Sequence, residues 1–233
     1  MRNFIKALLI PVLLLALMSG CSSSGDFRFN EGRGAWNAPE FYYQPPRIKR
    51  KYQSALKVMA SGDMQAAAAA FEKFDRKYPG YPGAYVNLAI IYEELERPDD
   101  ADAMLEKAKD LIPGYVKALN QEGLIKRRRG DFQGAQQAWL EAVDSDPEFA
   151  DGWYNLGVLY DIYLRDYPAA IQAYERYQEL YIDEQLQPGG ELAADIVAEP
   201  DKQVVGWIAD VERRIDQSQQ AQQAADVPVE NSL

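Results

Sequence analysis

The chain has 233 residues and a formal net charge of −11, from 36 acidic and 25 basic side chains. That balance argues against nucleic acid as a partner and against adhesion to an anionic lipid surface, both of which need a basic face. Histidine is absent and cysteine occurs once, so the commonest general base and metal ligand is missing and no disulfide can form. No catalytic residues, no metal site and no cofactor are expected.

In chain order, Arg2 and Lys6 flank the start of an apolar run from Ala7 to Leu17, and Met18-Ser19-Gly20 lead to Cys21. A basic start, a short apolar core and small residues before a boundary describe a secretory signal peptide over 1–20. The run falls short of the roughly 20 residues a membrane span needs. The boundary, followed by Ser22-Ser23-Ser24-Gly25, resembles a bacterial lipobox with Met18 where leucine is usual. The resemblance implies that Cys21 becomes the acylated first residue of the mature chain, bearing palmitate-type groups. It also implies a destination: serine rather than aspartate after the cysteine favours the outer membrane of a Gram-negative cell, with the body in the periplasm. Cleavage there removes Arg2 and Lys6, taking the formal charge from −11 to −13. Acyl chains hold a protein to a bilayer by about 0.8 kcal/mol per buried methylene.

Residues 21–47 read as the lipidated cysteine and a tether. As a flexible chain this stretch would reach roughly 28 Å root-mean-square. Its aromatics, Phe27, Phe29, Trp36, Phe41, Tyr42 and Tyr43, are too many for a purely solvated linker. Two readings stay open: they fold back onto the helices that follow, or they form a partner-binding epitope near the membrane.

The body is periodic. Pro79, Pro113 and Pro147 stand 34 residues apart, and 24 residues before each stands a small residue: Ala55, Ala89 and Gly123. Twelve before each comes Ala67, Ala101 or Ala135, and eight before each a bulky Phe71, Leu105 or Trp139. Small residues on a first helix let a second approach, the bulky one fills the space between pairs, and proline ends the second helix. One such pair cannot bury its apolar face alone, so pairs must stack. The residues resemble the tetratricopeptide repeat, phased as 48–81, 82–115, 116–149 and 150–184. The fourth unit reads Trp153, Leu156-Gly157, Tyr160, Ala170, Tyr174, with one residue inserted between Gly157 and Ala170, Tyr177 at a small-residue position and no closing proline. The resemblance implies an all-α, right-handed solenoid of four helix pairs. Beyond it, Pro200-Asp201 offers a helix start, and Val204, Ile208, Val211 and Ile215 share one face with Trp207 beside them. This predicts a linker and capping helix over 185–216, able instead to serve as a homodimer face, and a disordered tail over 217–233.

The resemblance also implies where a partner would sit: the first helices line a concave groove. Its sixth position carries Gln53, Asn87, Gln121 and Asn155, a ladder of amides able to bond an extended peptide backbone. Its ninth carries Leu56, Ile90, Leu124 and Val158, and Tyr52, Asn120 and Tyr154 occupy the fifth. The asparagine and basic pattern of repeats that clamp a terminal carboxylate is absent. The run Lys126-Arg127-Arg128-Arg129 closes a first helix, where cations favour the dipole. Arg127 with Lys117 could instead receive an acidic segment of a partner. Carboxylates at Glu93-Glu94, Asp99-Asp100 and Asp144/Asp146 are expected to be solvated surface.

These features imply a non-enzymatic adaptor held at the outer membrane through its lipid, with a protein or peptide in its groove. They resemble the small repeat lipoproteins of Gram-negative envelopes that assist pilus, secretin or barrel assembly. The alternatives are a regulatory accessory of a peptidoglycan enzyme and an accessory of a Ton/Tol-type motor.

Overall fold

Proline marks both ends of the repeating unit. Pro46, Pro82 and Pro98 begin helices, where a missing N–H costs nothing. Pro79, Pro113 and Pro147 follow helices that end at Lys77, Leu111 and Ser145. The computed structural model describes residues 45–186 and 200–225, all within one compact unit spanning 34–233. The described residues form nine α-helices and no strand: α1 Pro46–Ala60, α2 Met64–Lys77, α3 Pro82–Glu94, α4 Pro98–Leu111, α5 Val116–Arg128, α6 Phe132–Ser145, α7 Ala150–Val158, α8 Tyr167–Leu186 and α9 Lys202–Ala225. A π-helical segment, Leu159–Leu164, continues α7. The signal peptide, Cys21, the tether aromatics up to Tyr43, residues 187–199 and residues 226–233 lie outside the described residues.

Helices pack as consecutive pairs, α1 with α2, α3 with α4, α5 with α6 and α7 with α8, and first helices α3 and α5 lie side by side. The four pairs make an all-α solenoid of tetratricopeptide type. The small and bulky positions do what their sizes require. Ala67, Phe71, Ala89, Ala101, Ala135 and Trp139 are wholly buried. Gly123 lets the Trp139 ring come so near that a Cβ there would lie 2.5 Å from it.

Each first helix leaves through a left-handed residue one repeat apart: Gly62, Glu96, Gly130 and Arg165, with φ of 83, 57, 83 and 55°. Glycine adopts this region freely, whereas Glu96 and Arg165 hold it against Cβ strain. The next residue starts the second helix. Asp63 and Asp131 accept from the backbone N–H of Ala66 and Gly134, both at 2.9 Å, and Asp166 accepts from Ala169 at 3.2 Å. Repeat two has Arg97-Pro98 there, and its first turn is held by Arg97 pairing with Asp100 at 2.7 Å.

The residue inserted in repeat four becomes the π segment. An extra residue in an α-helix is absorbed by widening one turn to i→i+5 bonding, and the N–H of Arg165 donates to the carbonyl of Tyr160. The widened turn buries Asp161 and leaves Ile162 60% and Tyr163 42% exposed.

Two expectations are corrected. α9 runs to Ala225, so residues 217–225 are helical rather than part of a disordered tail. Glutamine and alanine are good helix formers, and nothing in Gln217–Ala225 breaks the helix begun at Lys202. The carboxylate at Glu93 is also not solvated: it is 11% exposed and paired with Arg129 at 2.6 Å and Arg128 at 3.4 Å.

Candidate partner-binding face

The first-helix face carries Tyr52, Gln53 and Leu56 on α1, Asn87 and Ile90 on α3, Lys117, Asn120, Gln121, Leu124 and Arg127 on α5, and Tyr154, Asn155 and Val158 on α7. The amides on it are not equivalent. Asn87, 6% exposed, donates from Nδ2 to the Tyr52 hydroxyl at 2.7 Å and to the Gly83 carbonyl at 2.9 Å. Asn155, 8% exposed, donates to Asn120 Oδ1 at 2.9 Å. That oxygen also accepts from Trp139 Nε1 at 2.9 Å. The Asn87–Tyr52 and Asn155–Asn120 bonds each join the sixth position of one repeat to the fifth of the repeat before. Val86 is the fifth residue of repeat two and has no acceptor to offer Gln121. Gln121 is half-buried, and Gln53 on α1 is exposed. The continuous amide ladder is corrected to two amides open and two locked into the stack.

Burial governs the tyrosines. Tyr52 packs edge-on to Phe71 and Phe74, with ring centres 5.7 and 5.4 Å away. Desolvation pushes its hydroxyl up to about 12, against the opposing bond from Asn87. Desolvation raises Tyr115 further, helped by Tyr52. Lys117 reaches the surface, but neighbouring protein atoms partly desolvate its ammonium. That desolvation lowers its pKa, while Asp151 acts in the opposite sense.

The basic run divides. Lys126 pairs with Glu122 at 2.6 Å, Arg128 with Glu94 at 2.8 Å, and Arg129 with Glu93 and with Asp102 at 2.9 Å. The Arg128 and Arg129 pairs clamp repeat three onto repeat two, whereas the Lys126 pair lies within α5. Arg127 differs: its guanidinium lies over the Trp139 ring, 5.6 Å from the centre, and 6.0 Å from that of Tyr163. Lys109 and Lys126 meet on Glu122, at 2.8 and 2.6 Å. Burial pushes this carboxyl up, but the two lysines outweigh it and hold it below its ordinary value.

At repeat four the face is covered by the chain itself. Tyr154 stacks 5.9 Å from Trp207 and 5.3 Å from Tyr177, and Val158 packs in the cluster of Val204, Trp207 and Ile208. α9 is anchored at its start by Gln178, whose Nε2 donates to the Asp201 carbonyl at 2.7 Å while its Oε1 accepts from the Asp201 N–H at 2.9 Å. Asp201 caps the helix through the N–H of Gln203 and of Val204, and accepts from the Tyr177 hydroxyl at 3.2 Å. Further on, Arg214 stands 2.8 Å from Asp161, which is 7% exposed. Among the described residues, Gln53, Leu56, Ile90, Lys117, Gln121 and Leu124 make the part of the face away from α9. Sequence reasoning missed the clamp on Glu93, although Arg128 lies about one repeat length away and the spacing was there to be read.

Among the described residues, no three histidine, cysteine, aspartate or glutamate side chains gather as metal ligands would. None of their helices is long and apolar enough to cross a membrane.

Two tetratricopeptide repeat family matches cover residues 58–121 and 120–184. Mouse protein O-mannosyl-transferase TMTC3 is 30% identical over 83 residues, 35% of this chain and 9% of that protein. Cellulose synthase operon protein C of Pseudomonas fluorescens is 32% identical over 108 residues, 43% of this chain and 8% of that one. The chain thus spans less than a tenth of the length of either. Among solved structures, Pseudomonas aeruginosa pilF superposes with a TM-score of 0.58 at 21% identity, covering 76% of this chain and 72% of that one. That likeness is one of fold.

Proposed function

The chain belongs to the tetratricopeptide repeat family, whose repeats are scaffolds for protein–protein contact, and from that premise we propose that it is a non-enzymatic adaptor. It is anchored by acylated Cys21 at the periplasmic face of the outer membrane. On the face of α1, α3 and α5 it holds a segment of a partner while an envelope complex of pilus, secretin or barrel type is assembled. The observation that carries the reading is Gln121. Stacking uses the amides of Asn87 and Asn155 inside the chain, whereas Gln121, between half-buried Ile90 and Leu124, is left to a partner. An amide flanked by aliphatic side chains suits an extended segment with apolar anchors: it bonds the backbone and the aliphatics take the side chains.

The test is crosslinking in intact envelopes. Wild type should capture one envelope protein, and Gln121→Arg, which fills the face without touching a structural bond, should lose it with unchanged melting. Capture that survives Gln121→Arg would remove the face from the mechanism. In parallel, Cys21→Ser should abolish incorporation of labelled palmitate and move the protein from the membrane to the soluble periplasmic fraction. A variant that stays with the membrane would refute the anchor.

A further inference from the structure

The π segment creates a second surface feature at the edge of the open face. Of the four cations in 126–129, Lys126, Arg128 and Arg129 are neutralised by carboxylates of the chain. Arg127 is the exception among the described residues: it lies against aromatic rings instead. Aromatic faces hold a guanidinium in place without cancelling its charge. The Tyr163 ring beneath it is stacked on Phe132, with centres 4.7 Å apart, so the platform is fixed from two helices. Ile162, the residue before Tyr163 in the π segment, is 60% exposed, the most exposed of the large apolar side chains described.

We propose that Arg127, Tyr163 and Ile162 form a docking site for a partner segment carrying a carboxylate beside an apolar side chain. The proposal rests on the adaptor reading and names the chemistry of its partner. Charge complementarity commits the site to an acidic occupant: a preoriented, unneutralised guanidinium binds carboxylates bidentately. Ile162 and the edge of Tyr163 supply the apolar floor. A lipid surface fits less well, since a single cation cannot offset the repulsion between a chain of net charge −11 and a whole sheet of anionic headgroups, whereas one carboxylate needs only one guanidinium.

The test uses three fluorescein-labelled peptides that alternate leucine with glutamate, with glutamine or with lysine, titrated by anisotropy against the full chain. The glutamate peptide should bind at least tenfold more tightly than the glutamine one. Arg127→Glu should erase that preference and transfer it to the lysine peptide. Ile162→Ser should weaken the glutamate and glutamine peptides alike, by roughly the tenfold that losing an apolar anchor costs. Equal binding of the two peptides, or no binding of either, overturns the proposal, as does a preference unmoved by Arg127→Glu. Arg127-dependent cosedimentation with phosphatidylglycerol vesicles would overturn it in favour of a lipid surface. The two readings fail separately. Envelope capture lost in Gln121→Arg, with no glutamate preference, leaves the adaptor face standing without this site. Glutamate preference with capture indifferent to Gln121 does the reverse.

Discussion

Replacing glycine by alanine at two helical positions should change stability in opposite directions. In α5 a Cβ at residue 123 would lie 2.5 Å from Trp139 Cε2 and Nε1. The ring cannot move aside easily, because it is wholly buried and its Nε1 is bonded to Asn120 at 2.9 Å. Overpacking of this kind costs about 1–3 kcal/mol, and a contact this short against a pinned ring belongs in the upper half. The better helix propensity of alanine returns about 0.8–1 kcal/mol. Gly123→Ala should thus destabilise by about 1–2 kcal/mol, lowering Tm by roughly 2–8 °C for a chain of this size. In α9, a Cβ at Gly206 meets nothing within 4 Å. Only the propensity gain applies there, and Gly206→Ala should stabilise α9 by up to about 1 kcal/mol. Urea unfolding followed by circular dichroism reads both, with Trp139→Phe as the partner in a double-mutant cycle. The smaller ring should relieve part of the Gly123→Ala cost, giving a coupling of about 0.5 kcal/mol or more. A neutral or stabilising Gly123→Ala, or zero coupling to Trp139, would refute the idea that this glycine exists to admit the ring.

Three further outcomes follow from the same geometry. Tyr52→Phe and Asn87→Ala should each cost about 1 kcal/mol, and the double variant less than their sum, because both break one bond; additive urea midpoints would deny that bond. Glu122, held below its ordinary 4.5, adds stability that is complete above that value and lost as pH falls through its folded pKa. The midpoint gap between wild type and Glu122→Gln should therefore be widest near pH 7 and close towards pH 3, and a gap independent of pH would rule the linkage out. Asp201→Ala removes the cap of α9 and the Tyr177 bond while leaving both Gln178 contacts, which go to backbone. It should cost about 1 kcal/mol, seen as faster amide exchange at Val204 with exchange in α5 unchanged.

The stacked pairs were legible because they follow from period and size alone. Prolines 34 residues apart and a small residue 24 before each fix where helices stop and which faces touch. The inserted residue of repeat four was equally visible, but not its form: a count says that one residue is extra, not whether a loop or a widened helical turn absorbs it. The groove was read less well for a related reason. A position number treats Asn87 and Gln121 alike, yet what each amide does depends on the residue about one repeat earlier, Tyr52 for one and Val86 for the other. The carboxylates failed on the same ground. Glu93 looked solvated in its own helix, and only pairing it across repeats with Arg128 and Arg129 reveals the clamp. The end of α9 was misplaced by reading glutamine-rich sequence as disordered, although its propensity is helical.

Repeat four explains why the proposed partner face is confined to the first three repeats. After this repeat the next helix, α9, packs through rings: Tyr154 and Tyr174 meet Trp207, and Tyr177 meets Tyr154. Val204 and Val211 of α9 are wholly buried, worth about 1.5–3 kcal/mol each. That is enough to hold α9 across Tyr154 and Val158, and it withdraws α7 from partner binding. The π segment works with this closure. Its widened turn places Asp161 inward, where Arg214 of α9 reaches it, and leaves Tyr163 outward beneath Arg127. One extra residue thus closes the array on one side and gives the open face a charged, aromatic edge on the other. On the proposed reading, a partner that uses that edge runs along α1, α3 and α5 and ends at Arg127, because α9 covers Tyr154 and Val158 beyond it.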